Sequence, residues 1–213
     1  GDIFLPPDAL ERSLSFFVAN PRLGAITTDN RGFVKGNGWT REWYDLRYAQ
    51  RHLVMSSMAL SRRLLVLTGR FSVFRGSIVG DRDFIRHVER DCIDHWRFGR
   101  FRFLSGDDKS TWFWLLRQGW EMLYVPDVVA YGFEELPDRH RFFASSIGLM
   151  RRWYGNMLRN NGRAIALGPR KMGLFTWWSL VDQRISMWTS LTGPIVAIML
   201  TVAHSRPFLL GYL

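Results

Sequence analysis

At 213 residues the chain can bury one ordinary core, and its single cysteine, Cys92, excludes an intrachain disulfide and a multi-cysteine zinc centre. The composition, 47% hydrophobic and 15% aromatic with ten Trp, is too apolar at one end for a plain soluble domain. The formal charge of +10 comes from 26 Arg against three Lys, but the cations are spread along the chain without zinc-finger spacing or an RNA-binding aromatic signature, so nucleic acid is set aside as a partner.

Guanidinium forks match phosphate and carboxylate, so anionic lipid headgroups, a nucleoside diphosphate and a polyanionic product suit this charge better. Gly1-Asp2 carries no initiator Met, and Pro207 to Leu213 is an apolar run cut short. The chain therefore reads as part of a longer protein.

Pro6-Pro7-Asp8 predicts a helix start, with the apolar Leu10, Leu14, Phe17 and Val18 on one side and Asn20-Pro21 at its end. Leu23 to Thr28 reads as a buried strand, so a helix feeds a strand as in α/β folds. Asp29 to Gly38, rich in Gly and Asn, reads as a loop. Trp39 to Arg63 has the pattern of a helix bordered by arginines, which suits a membrane surface as well as a core. Leu64 to Phe74 reads as two extended pieces around a Gly69-Arg70 break, where a glycine permits close approach of a ligand or simply bends a strand.

Asp81 to Cys92 is expected to be helical, and Ile93 to Leu104, where Trp96, Phe98, Phe101 and Phe103 alternate with arginines, a strand. His87, Asp91, Cys92, Asp94 and His95 lack any recognised metal-ligand spacing and read as a solvated helix face with a buried thiol. Ser105-Gly106-Asp107-Asp108 follows at a strand end, where open α/β sheets place their active sites. Two carboxylates ahead of the helix expected over Lys109 to Gln118 also serve as ordinary caps, stabilised by free N–H groups and the helix dipole.

Glu121 to Val125 is a predicted strand ended by Pro126, and Pro137 to Asn161 a long predicted helix containing Leu149-Met150-Arg151-Arg152-Trp153. Two guanidiniums beside an indole offer charge for phosphates and a flat face for a sugar ring; a solvated basic face with a core Trp is the plainer reading. Asn160 to Lys171 is expected to be a connector. Phe175 to Leu180 then forms an interfacial segment before Ile185 to Ala203, 19 residues without a charge.

Gly106-Asp107-Asp108 and Arg152-Trp153 together resemble two motifs of the processive family-2 inverting glycosyltransferases, which include cellulose, chitin and hyaluronan synthases. In these the last acid of the first motif is the catalytic base, and the second ends a Gln-x-x-Arg-Trp sequence whose Gln position is Leu149 here. The run from Leu64 to Asn161 most resembles the bacterial alginate (mannuronan) polymerases.

The resemblance implies the acceptor-side half of a GT-A-type α/β domain over residues 1–172, followed over 173–213 by interfacial and transmembrane helices. Asp108 becomes the catalytic base, and Asp107, Arg151, Arg152 and Trp153 donor- and acceptor-binding residues. Thr68, Gly69 and Arg70 become the acceptor turn, Asp2 the last acid of a motif holding Mg2+ or Mn2+, and Asn161-Gly162-Arg163 the place of a gating loop. It further implies transfer of mannuronic acid from GDP-mannuronic acid to a polyuronate chain, at a bacterial inner membrane with the catalytic domain cytoplasmic and a co-polymerase or regulatory membrane subunit as partner. The rival readings are a hyaluronan- or chitin-type synthase using a UDP-sugar and a catalytically silent membrane docking protein.

Overall fold

A computed structural model describes residues 3–35, 38–102, 107–138 and 140–204. In chain order the elements are β1 (Ile3–Phe4), α1 (Ala9–Ala19), β2 (Leu23–Lys35), α2 (Gly38–Ala59), β3 (Ser72–Phe74), α3 (Gly76–Val79) and α4 (Arg82–Glu89). There follow β4 (Cys92–His95), β5 (Gly99–Arg102), α5 (Asp107–Gln118), β6 (Glu121–Glu135), α6 (Phe142–Ile165), α7 (Pro169–Met172) and α8 (Leu174–His204).

The sheet is mixed, in the order β1-β6-β2-β3, and its spine is the parallel pair of β2 and β6. Parallel strands need a long crossover, and the elements from α2 to α5 lie within this one. Both long strands continue past the ends the sequence predicts. Residues 29–35 pair with 129–135 in register, so the expected Asp29 to Gly38 loop is strand as far as Lys35, and Pro126 is absorbed at a register shift instead of ending β6. Backbone pairing on a neighbour overrides the turn composition here.

Trp112, Leu115, Leu116, Leu64, Leu67 and Met122 are fully buried in the largest core cluster, which α5 fills from the middle. Gly119, at φ +80°, ends α5 in the left-handed region as a helix C-terminus favours. Among the described residues of α1, only Phe17 of the apolar side packs against the core. Ala9 and Ser13 are buried while Leu10, Leu14 and Val18 are exposed, because small residues let the helix lie close to the sheet.

Two further expectations change. The aromatic-basic run is a hairpin of β4 and β5 forming its own two-stranded sheet, turned by Trp96 to Phe98 with Gly99 at φ +74°, and is not a single strand. Asn161-Gly162-Arg163 is no loop: it lies within the last turns of α6. Asn161 is buried, and a Cβ on Gly162 would stand 2.8 Å from the Arg184 guanidinium of α8.

Leu174 to Ala203 is long and apolar enough to cross a membrane by length and composition. Its first turns pack on the body, with Thr176 and Leu180 buried and the Trp177 indole donating to the Ile165 carbonyl at 3.0 Å. The remainder presents Trp188, Leu191, Ile195, Ile198, Met199 and Val202 outward. The expected interfacial piece and span are one continuous helix through Pro194.

Candidate active site

Helix α2 is the rail along which the candidate residues meet, since residues four apart stand on one helix face about 6 Å further along. Near its start Trp43 stacks on Trp153, with ring centres 6.2 Å apart and planes 12° from parallel, while the Arg47 guanidinium lies 5.5 Å from the Trp153 ring centre. The indole expected as a platform is thus one of a stacked pair. Leu149, at the family's Gln position, is buried against Tyr44 and Leu136. That face of α6 is therefore apolar where a Gln would carry hydrogen-bonding groups.

Arg151 and Arg152 are both exposed. Arg152 borders an open cavity of about 410 Å³ with Arg141, Asp138, Ser145 and Leu149, and its charge reaches the Tyr44 hydroxyl. Two guanidiniums at one groove suit an anionic ligand.

The next turn of α2 meets the expected acceptor turn. Arg70 forms an ion pair with Glu134, donates to the Arg31 carbonyl at 3.3 Å and lies over the Tyr48 ring at 5.3 Å. A Cβ on Gly132 would come within 3.0 Å of that guanidinium, so the bare glycine makes room for Arg70. Tyr48 donates to Glu134 at 2.8 Å. Gly69 is exposed with open space beside it, as a ligand-approach position requires.

Thr68 is a different kind of residue from the one predicted. Its hydroxyl and that of Thr27 stand 2.9 Å apart, its N–H donates to Thr27 Oγ1 at 2.9 Å, and its hydroxyl reaches the Phe71 carbonyl at 3.1 Å. With its side chain buried among these partners, Thr68 fastens the turn to β2.

Asp107 and Asp108 occupy the first turn of α5, as their capping chemistry predicts. Asp107 is exposed. Asp108 is half-buried, and burial raises its carboxyl above the usual carboxylate range. Opposing this are the Lys109 N–H, which donates to Oδ1 at 2.8 Å, the Lys109 ammonium and the Arg51 guanidinium. Desolvation raises a carboxylate's proton affinity, and a raised proton affinity is the property a general base draws on.

Arg51, one turn beyond Arg47, is the site residue the sequence reading left among a row of bordering arginines. Burial lowers its affinity for its proton, and the anion that restores it most is Asp108, with Tyr48 and Tyr124 contributing less. Beside it His52 Nδ1 lies 3.0 Å from the Tyr124 hydroxyl, which donates to Asp29 Oδ1 at 2.8 Å. Burial and that hydrogen bond hold the Tyr124 phenol in its protonated form. The four-residue recurrence 43, 47, 51 was the signal available in the sequence.

Asp2, the expected metal ligand, lies outside the described residues. Among the described residues no three His, Cys, Asp or Glu stand together as a metal would require. Asp91 is buried in a pair with Arg163 at 2.9 Å and accepts from Ser110, so the expected solvated face around it is a structural joint of α4, α5 and α6.

A mixed α/β domain with an acidic helix start, an Arg-Trp helix beside it and an apolar C-terminal helix is the arrangement of a GT-A-like transferase. Residues 1–156 match the model of the glycosyltransferase like family 2, and the chain belongs to that family. It is 47% identical over 213 residues to the glycosyltransferase alg8 of Pseudomonas syringae pv. tomato and 46% identical over 215 residues to the glycosyltransferase alg8 of Azotobacter vinelandii. All of this chain is covered in both comparisons, but it spans only 43% of each relative's length.

Proposed function

We propose that this chain is the acceptor-side part of a membrane-embedded, processive, inverting glycosyltransferase that extends a polyuronate with mannuronic acid from GDP-mannuronic acid. The observation carrying this reading is the half-buried Asp108 carboxylate in the first turn of α5, held through Oδ1 by the Lys109 N–H and acted on by the Lys109 and Arg51 charges. In the proposed reaction Asp108 removes the proton of the acceptor hydroxyl as its oxygen attacks the anomeric carbon. The bond to the nucleoside diphosphate breaks, and Arg152 and Arg151 supply positive charge to the leaving group. Trp153, backed by Trp43, supports the acceptor sugar.

A divalent ion, general in this family, would neutralise the departing diphosphate. Since the described residues form no metal site, no step here depends on one. The reading divides the chain at about residue 172, with residues 173–213 as the interfacial and membrane-spanning part. It places the body on the cytoplasmic side of an inner membrane, with a co-polymerase or regulatory subunit beside it. Preference for a uronic acid rests on the Arg excess, on Arg141 and Arg152 at one groove, and on the resemblance to mannuronan polymerases.

Asn in place of Asp108 keeps size and a hydrogen-bond acceptor but takes no proton. In the full-length protein in membranes, Asp108→Asn is expected to lose on the order of 100-fold or more in turnover with donor binding retained. Polymerisation at near wild-type rate would reject the assignment of the base. Polymer made from a UDP-sugar, with none from GDP-mannuronate, would reject the donor.

A further inference from the structure

Lys109 is an ammonium group in the core. It is 7% exposed, its Nζ lies 2.5 Å from the Leu65 carbonyl and 3.3 Å from Asn161 Oδ1, and it stands 4.5 Å from the centre of the Trp112 ring. Burial pushes its pKa down to about 8, so the fold bears a desolvation cost to keep the charge there. A Met of similar length would fill the same space without that cost, which makes the retained charge informative.

Its partners supply the reason. The backbone N–H of Lys109 holds Oδ1 of Asp108, leaving Oδ2 to take a proton, while the ammonium at the end of the same residue is held by Leu65 and Asn161, so the side chain sets where that N–H stands. Leu65 lies three residues before the Thr68-Gly69-Arg70 turn, and the neighbouring Leu64 carbonyl accepts from the Trp112 indole one turn along α5. Asn161 belongs to α6, the helix of Arg152 and Trp153, and donates through Nδ2 to Gln183 Oε1 of α8 at 3.2 Å. One side chain thus reaches the segment before the acceptor turn, the Arg-Trp helix and, through Asn161, the apolar C-terminal helix. The charged groups it senses are Asp108 beside it and Arg51 from α2.

We propose that Lys109 is a positioning residue for the catalytic base: its ammonium, anchored by Leu65 and Asn161, fixes the first turn of α5, and with it the backbone N–H that orients Asp108, against the segment leading into the acceptor turn, and couples that segment through Asn161 and Gln183 to α8. The proposal rests on Asp108 being the base. Lys109 does not touch substrate. Its effect passes through Asp108 by geometry and by favouring the carboxylate form.

The test uses the full-length protein in membranes, with yield and thermal midpoint as controls for folding. Lys109→Met is expected to lower kcat by about tenfold or more while the donor KM stays within about twofold, because the lost interaction acts on the reacting geometry. The acidic limb of its pH profile should move to higher pH, since Asp108 loses a neighbour that favours its anion. Asn161→Leu should give a smaller loss with the same sign, and Asn161→Asp, which keeps the acceptor oxygen, should retain more activity than Asn161→Leu. Wild-type kcat in Lys109→Met, or a kcat loss with an unmoved pH profile, overturns the proposal.

If Lys109→Met does not accumulate, Asn161→Leu decides in the same way: kcat loss with the shifted limb supports the coupling, and wild-type kcat overturns it. Asp108→Asn measured alongside separates the two readings. An active Asp108→Asn refutes the base itself, whereas an inactive one beside an unaffected Lys109→Met refutes only the role of Lys109.

Discussion

The indole of Trp153 lies 12° from parallel to that of Trp43, across the contact between α6 and α2. A residue on the Arg-Trp helix therefore depends for its orientation on a helix more than ninety positions earlier, and the site is assembled from both.

Trp43→Ala should consequently act like a mutation in the acceptor platform. Aromatic pairs contribute about 0.5–1.5 kcal/mol beyond the area they bury, so losing one face should loosen Trp153 without unfolding the domain. The expected outcome is shorter polymer and weaker acceptor binding, with donor binding unchanged; Trp43→Phe should be milder. Product-length analysis by gel filtration checks it, and wild-type length in Trp43→Ala would count against the paired platform.

Thr68 yields a prediction opposite in kind to the one its sequence position suggests. Removing the hydroxyl takes one hydrogen bond from Thr27 Oγ1 and one from the Phe71 carbonyl, which still meet each other at 3.4 Å, so the cost should be about 1 kcal/mol, that of a lost hydrogen bond with no orphaned group. Thr68→Val should lower the thermal midpoint of purified protein, and Thr68→Ser should largely restore it. Donor affinity should hold in the folded fraction of both. A Thr68→Val protein of normal stability but weakened substrate binding would return Thr68 to the ligand-contacting residues.

Elements whose period matched their packing were legible in the sequence: α2, α5 and most of α6 fall where apolar spacing puts them, and Asp107-Asp108 sits in a first helical turn. The misses share a physical cause, since they depend on a neighbour distant in the chain. Gly32 and Pro126 read as loop punctuation, yet both lie in strands because β2 and β6 pair with each other. Leu10 and Leu14 share an apolar side of α1, yet the face buried there is that of the smaller Ala9 and Ser13. Asn161 and Gly162 read as a connector, yet Lys109, Gln183 and Arg184 pack against them. For the candidate site, the motifs pointed to Asp108 and Trp153, while Arg51 and Lys109 became candidates only once their partners were in place.

Topology can be tested at positions the structure shows to be accessible. Ser110 and Asn160 are buried, so cysteines there would resist reagent from either side. Gln118 and Ala166 are exposed. If α8 crosses the inner membrane with the body cytoplasmic, cysteines at 118 and 166 should be labelled by a membrane-impermeant maleimide only after the cells are opened. Labelling of either in intact cells, from the periplasmic side, would reverse the orientation.

Asp108 makes a further prediction that separates catalysis from stability. Burial, the dominant influence, raises its folded-state pKa above the ordinary carboxylate value, so between those two values the native state binds the proton more tightly than the unfolded chain does. The stability contributed by the protonated form is fully present below the ordinary value and is lost as pH rises through the folded one. At neutral pH the ionised carboxylate is therefore a net cost to the fold, and a neutral isostere removes it. Asp108→Asn should melt at a higher temperature than wild type at pH 7, and the difference should shrink as pH falls into the carboxylate range. Asn also caps about as well as Asp, so loss of a helix cap does not offset the gain. Thermal unfolding of the two proteins across pH measures this directly. A lower midpoint for Asp108→Asn at neutral pH would mean that the Lys109 and Arg51 charges outweigh desolvation, and that Asp108 is a structural anion where a base was assigned.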